Sequence, residues 1–213
     1  FRVGSSGQLG IGGANYGTSG QVLTSGGSGS AATWSTINSD AINEGNTKAE
    51  VVDTGSDGHF KVETEGSERL RIDSSGRLLL GYTSNIAIAG HNSSLLVTGN
   101  DYHKHTISVL ANENTARGAM LQLAKNRSGS VGGATVVQDN DYVGQIRFVA
   151  ADGTDIDARI AEIHAAVDGT PGSNDTPGRL GFMTTPDGSD GSVERVRITS
   201  GGTTRIGDST AYI

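Results

Sequence analysis

Apolar and polar residues alternate with a period of two in short runs along this chain, and such alternation predicts half-buried strands. Leu70 and Ile72 alternate with Arg69 and Arg71, and Leu78 and Leu80 resume the pattern after Asp73-Ser74-Ser75-Gly76. That tetrapeptide is turn chemistry, with Gly76 free to adopt a positive φ. On strict alternation the arginines point away from the buried face, and Glu68 falls on the opposite parity from them. The same reading predicts strands at 21–23, 32–37, 50–52, 59–63, 68–72, 94–98, 106–111, 120–124, 134–138, 144–150, 159–167, 179–183 and 194–199. Asp-Gly pairs begin at Asp57, Asp152, Asp168, Asp187 and Asp190, and they break the runs into short pieces. One run is ambiguous. Ile156, Ile160, Ile163 and Val167 make a helical stripe, whereas Ala161, Ile163, Ala165 and Val167 alternate as a strand. Gly169 and Pro171 follow directly and favour the strand. Short strands separated by frequent turns predict an all-β fold.

One pattern occurs three times, as FRVGSSGQLGIG from Phe1, LRIDSSGRLLLG from Leu70 and VRITSGGTTRIG from Val196. Aligned without gaps, Arg2, Arg71 and Arg197 coincide, as do Gly7, Gly76 and Gly202, and Gly12, Gly81 and Gly207. Glu68 and Glu194 precede the second and third copies at the same place. The copies lie 69 and then 126 residues apart, so this is no solenoid of fixed period. It reads as a mark that closes modules of unequal length. The expected organisation is therefore the end of a preceding module over 1–12, a Gly/Ser-rich shaft segment over 13–50, a small β-module over 51–83 closed by the mark, and a larger β-module over 84–213 closed by it again. A chain that begins inside one mark and runs six residues past another is expected to be a piece of something longer.

Composition sharpens this picture. Glycine supplies 33 of 213 residues and hydrophobic residues only 34%, so one chain buries little apolar surface of its own. There is no cysteine, which excludes disulfides, thiolate metal sites and cysteine nucleophiles. The formal charge of −7 and the lack of any Lys/Arg-rich run argue against nucleic-acid binding. No apolar run approaches the length of a membrane span, and no signal-peptide pattern follows Phe1.

The closing mark ERLRIDSSGRLLLG resembles an element of bacteriophage tail fibres and related phage adhesins. GTSGQVLTSGGSGSAATWS, from Gly17 to Ser35, resembles the GQVL…W element of the same proteins. The block from Leu121 to Gly207, with the stretches LAKNRSGS, DYVGQIRFVAADGT, AEIHAAVDGTPGSNDTPGRLGFMTTPDGS and ERVRITSGG, resembles a module common in tail-fibre and minor virion proteins. The resemblance is thinnest over 84–115. It implies an elongated homotrimeric fibre of stacked small β-modules, as interwoven sheets or a triple-stranded β-prism, in an extracellular virion appendage. It implies as partners two further copies, other tail proteins and a host receptor met through the fibre tip, with no nucleic acid and no membrane insertion. Such fibres often end in an autoproteolytic chaperone domain, for which these residues offer no counterpart. Core-poor strands with open edges are consistent with winding identical chains together.

Candidate chemistry is sparse. If His103 and His105 lie in a strand they share a face, and around a threefold axis six imidazoles would suit an octahedral transition ion. The bland alternative is a solvated strand or turn. Asp152, Asp155 and Asp157 gather carboxylates but lack the EF-hand order, and a turn loop is the simpler expectation. Trp34 is expected to pack under its own hairpin or against a trimer axis. A polysaccharide depolymerase needs two carboxylates across a cleft, and no pair is singled out by spacing or by clustered aromatics. The G-x-S-x-G elbow and the phosphate-loop Lys are missing. The expectation is a non-enzymatic shaft segment without a cofactor; a receptor- or glycan-binding head and a depolymerase are the alternatives.

Overall fold

The computed structural model describes residues 2–36 and 41–207. Among them the fold is all-β, with no helix. The elements in chain order are β1 (Arg2–Val3), β2 (Leu9–Gly10), β3 (Gln21–Thr24), β4 (Thr33–Thr36), β5 (Ala41–Glu44), β6 (Thr47–Val52), β7 (His59–Thr64), β8 (Ser67–Ile72), β9 (Leu78–Leu80), β10 (Leu95–Val97), β11 (Tyr142–Ala150), β12 (Ala158–Val167), β13 (Gly178–Thr184), β14 (Val193–Ile198) and β15 (Thr204–Ile206). The ambiguous run is strand β12, held in antiparallel register by β11 on one side and β13 on the other. The expected strand over 32–37 extends to Thr36, and Ile37 lies outside the described residues.

Two compact units result. The first takes residues 1–84 together with Leu95–Asn100, and the second takes Asn85–Ser94 with the residues from Asp101 onward. The first unit holds the hairpins β1–β2 and β3–β4 and a six-stranded sheet in the order β10-β9-β8-β7-β6-β5. Within it β10 lies parallel to β9, the remaining pairs being antiparallel. The second unit is a five-stranded antiparallel meander, β11 to β15.

The cross-strand register sorts each sheet into two chemically opposite faces. In the first unit one face carries the rows Ala49–Val62–Leu70–Leu80–Val97 and Val51–Phe60–Ile72–Leu78–Leu95. The other face carries Glu50–Lys61–Arg71–Leu79–Leu96 and the pair Lys48–Glu63. In the second unit the apolar face carries Gly144–Ala165–Leu180–Ile198 and Ile146–Ile163–Phe182–Val196–Ile206. The polar face carries Gln145–His164–Gly181–Arg197–Arg205, Arg147–Glu162–Met183–Glu194 and Tyr142–Ala166–Arg179.

Burial inverts the usual order. Glu162 and His164, on the polar face, are 2% and 3% exposed, while Ile146 and Phe148, on the apolar face, are 46% and 48% exposed. Val51, Phe60, Ile72 and Leu95 of the first sheet are exposed in the same way. The polar faces cover themselves through ion pairs. Lys61 bridges Glu50 at 2.9 Å and Glu63 at 2.8 Å, and Lys48 bridges the same two carboxylates at 2.9 and 3.5 Å. Within each described unit, no second layer covers the apolar row with a packed sheet or helix.

Three sequence-predicted strands are corrected. Residues 106–111, 120–124 and 134–138 belong to no strand. Their period-two pattern is real, but a strand exists only as part of a ladder, and the chain offers these segments no ladder partner.

Leu79 is the largest wholly buried aliphatic side chain. Leu79→Ala is expected to cost about 2–5 kcal/mol by loss of transfer energy and creation of a cavity. Denaturant unfolding followed by circular dichroism checks this.

Candidate functional site

The repeated mark folds the same way in all three places. Arg2 pairs with Gly10, Arg71 with Leu79 and Arg197 with Arg205, the same offset each time. Each turn is closed by equivalent bonds: Gly4 N–H donates to Gln8 O at 2.8 Å, Asp73 N–H to Arg77 O at 3.0 Å, and Thr199 N–H to Thr203 O at 2.9 Å. Gly7, Gly76 and Gly202 each donate back to the residue three before them, with φ of 82°, 77° and 78°. Only glycine takes this conformation without strain, which explains the shared position.

The two marks that carry a Glu share a further device. The register slips by one residue between Val62 and Glu63, and again between Phe182 and Met183, so that Arg69 and Arg195 are bulged. A bulge shifts parity by one. Glu68 therefore shares a face with Arg71, and Glu194 with Arg197, correcting the opposite parity that strict alternation assigns. Both pairs become two-pronged: Arg71 Nε and Nη2 donate to Glu68 at 2.7 and 2.8 Å, and Arg197 Nε and Nη2 to Glu194 at 2.8 and 3.0 Å. The bulged arginines turn the other way, onto Thr64 Oγ1 and Thr184 Oγ1. Their carbonyls accept from the closing glycines, Gly81 N–H to Arg69 O at 3.1 Å and Gly207 N–H to Arg195 O at 2.8 Å. In the first unit Gly81 also fixes β10: its φ is 86°, and a Cβ there would collide with Thr98 O, whose own N–H donates to Leu80 O.

The motifs read from the sequence do not include the buried cluster on β12. Glu162 accepts from Gln145 Nε2 at 2.9 Å and Arg147 Nε at 3.2 Å, and Arg147 Nη2 donates to Gln145 Oε1 at 2.8 Å. His164 lies over Gly181, which has no side chain to displace it, and meets the Tyr142 ring edge-on at 4.9 Å. Its Nδ1 stands 3.4 Å from Glu162 Oε1 without a hydrogen bond. Burial holds the imidazole below its ordinary value, overcoming the pull of Glu162 and Glu194. The available signal was Glu-Ile-His within an alternating strand, which places both polar side chains on one face. Nearby, Asp141 receives Arg127 Nε and Nη2 at 2.6 Å each and the Gln138 N–H at 2.9 Å, which hold its carboxyl well below the usual range.

Comparison with solved structures now bears on this arrangement. The chain is similar to the carboxy-terminal domain of the bacteriophage T5 L-shaped tail fibre, with a TM-score of 0.60 and 15% identity over 99% of this chain and 90% of that one. It is similarly related to the same domain solved with its intramolecular chaperone domain, with a TM-score of 0.60 and 16% identity over 100% of this chain and 63% of that one. The fold is that of a phage tail-fibre domain. No family model and no curated protein matches the sequence.

His103 and His105 lie in a turn over 102–105 and not in a strand. Asp101 opens that turn, its carboxylate accepting from His103 N–H at 3.0 Å and its carbonyl from Lys104 N–H at 2.9 Å. The two histidines therefore share no strand face, and His103 instead meets the Tyr102 ring at 5.2 Å. The Asp152 loop uses its carboxylates as turn caps. Asp152 accepts from Thr154 and Asp155, Asp155 from Asp157, and Asp157 from Gly90 at 2.6 Å. Among the described residues no group of three or more His, Asp or Glu side chains is disposed to hold a metal. Trp34 packs on Gly17, where a Cβ would come within 2.8 Å of its ring, and its Nε1–H donates to Asn15 O at 3.1 Å.

Gly81→Ala is expected to cost about 2 kcal/mol or more, through strained φ and displacement of β10. Glu194→Ala, in a partly solvated pair, is expected to cost no more than about 1 kcal/mol. Unfolding of the two variants side by side reads the difference.

The His164 shift fixes a pH dependence. Its folded value lies below the ordinary 6.5, so the unfolded chain takes up the proton first. Stability is complete above about pH 6.5 and falls on acidification toward the folded value. Thermal melts across this window are expected to show the decline in the native chain and a flatter profile in His164→Gln.

Proposed function

We propose that this chain is a structural segment of a trimeric phage tail fibre, carried on the virion beside other tail proteins and holding a tip that contacts a host receptor. Its role in this reading is mechanical and not catalytic. The observation that carries it is the inverted burial of the sheets. Both charged faces are ion-paired within the chain, and both apolar faces are left open. A sheet buries its apolar face against another layer. Three copies around one axis would give each sheet such a layer, and the likeness to the T5 tail-fibre domain supports the tail-fibre role. Covering what remains exposed of Ile146, Phe148, Leu180, Ile198 and Ile206 is worth on the order of 1 kcal/mol per side chain. An exposed ion pair gives at most about as much, so the apolar faces and not the charges drive assembly. Three chains at −7 each give −21, which keeps the assembled rod soluble.

Light scattering on the purified protein is expected to give about 65 kDa, three times the 21.8 kDa chain. Ile146→Asp with Phe182→Asp is expected to shift the mass to that of one chain. A stable native monomer, folding cooperatively, contradicts the reading.

A further inference from the structure

Residues 106–111 and 120–124 carry the alternating apolar pattern of strands but no ladder. No backbone N–H or C=O in this stretch takes part in a backbone–backbone hydrogen bond. Apolar side chains recur at Ile107 and Val109 and again at Leu121 and Leu123, at strand spacing. Three of them are largely in water, Ile107 at 71%, Val109 at 67% and Leu121 at 77% exposed, while Leu123 is half-buried. Between the two halves runs Asn112-Glu113-Asn114-Thr115, which is turn-forming and polar. A chain of this kind is a ladder waiting for its other side.

The second half is already seated. Gly144 on β11 has no side chain, and a Cβ there would lie 2.6 Å from Leu123 Cβ. Leu121 and Leu123 thereby line a cleft on the apolar face with Gly144, Ile146, Ile163 and Leu180. The cleft joins the open row of the second sheet, the same surface that the trimer reading buries. The first half, Thr106 to Leu110, is exposed throughout.

We infer that residues 106–124 are the strand-exchange element of the assembly. Their two alternating halves close a hydrogen-bond ladder on the neighbouring copies, so that the chains are interwoven and not only packed face to face. The occupant is a second copy for a stoichiometric reason. Every chain carries the same unmet backbone and the same open apolar row, and a closed ring of identical chains lets each one give and receive once. The inference rests on the trimer reading and goes further by naming the segment that crosses between chains.

The test is hydrogen–deuterium exchange of the intact protein, with the mass of the same sample measured by light scattering. A spin label at Ile107→Cys adds a second readout; the chain has no other cysteine, and Val109→Cys serves if the first variant does not assemble. A trimer whose 106–124 amides exchange about 100-fold or more slowly than an open chain, with dipolar coupling between labels on different copies, is the expected result. A trimer in which this segment exchanges at open-chain rates overturns the inference and leaves the trimer reading standing. A protected segment without coupling between copies also overturns it, because the ladder then closes within one chain or on another molecule. A monomer overturns both.

Discussion

A β-sheet one layer thick has an apolar face that something must cover, and this chain is organised around that requirement. Most small domains meet it with a second layer of their own. Here the chain's internal interactions are gathered on the opposite side. Glu162 is nearly inaccessible among Gln145, Arg147, Arg159 and His164. Glu50, Lys61, Lys48 and Glu63 alternate in sign across neighbouring strands. Charges that satisfy one another need no outside partner. The row from Ile146 through Ile163, Phe182 and Val196 to Ile206 does need one.

The repeated mark supports this division of labour. Its glycine turn fixes the register of two short strands. Its bulge at Arg69 or Arg195 then moves a glutamate onto the arginine face, so that the charge pair closes within the strand. Without the parity change, Glu68 would lie on the apolar face and spoil the surface that the rows of Val62 and Phe60 build. The same short pattern thus keeps one face ion-paired and the other apolar in both sheets.

Much of this was legible in the chain. Period-two alternation located most strands, and the glycine positions of the mark identified its turns, because both signals are local. What escaped was non-local. The bulge is invisible to alternation, since it arises from pairing with β7 and β13. The parallel seating of Leu95–Val97 on β9 depends on a return of the chain that no neighbouring residue announces. Ile156 to Val167 fitted two periods until its neighbours on both sides settled it as strand. Residues 106–111 and 120–124 alternate faithfully yet pair with nothing in their own chain. The His103-Lys104-His105 spacing suggested a shared face, but the Asp101 turn removes the strand on which that depended.

The central claim is that the apolar faces of the two sheets are the shared interior of an assembly. The most direct measurement is a high-resolution electron cryomicroscopy map of the purified protein. It is predicted to place Ile146, Ile163, Phe182, Val196 and Ile206 inward, against the same residues of two other copies about a threefold axis. A map in which this row faces solvent, or packs beneath another layer of its own chain, would contradict the account.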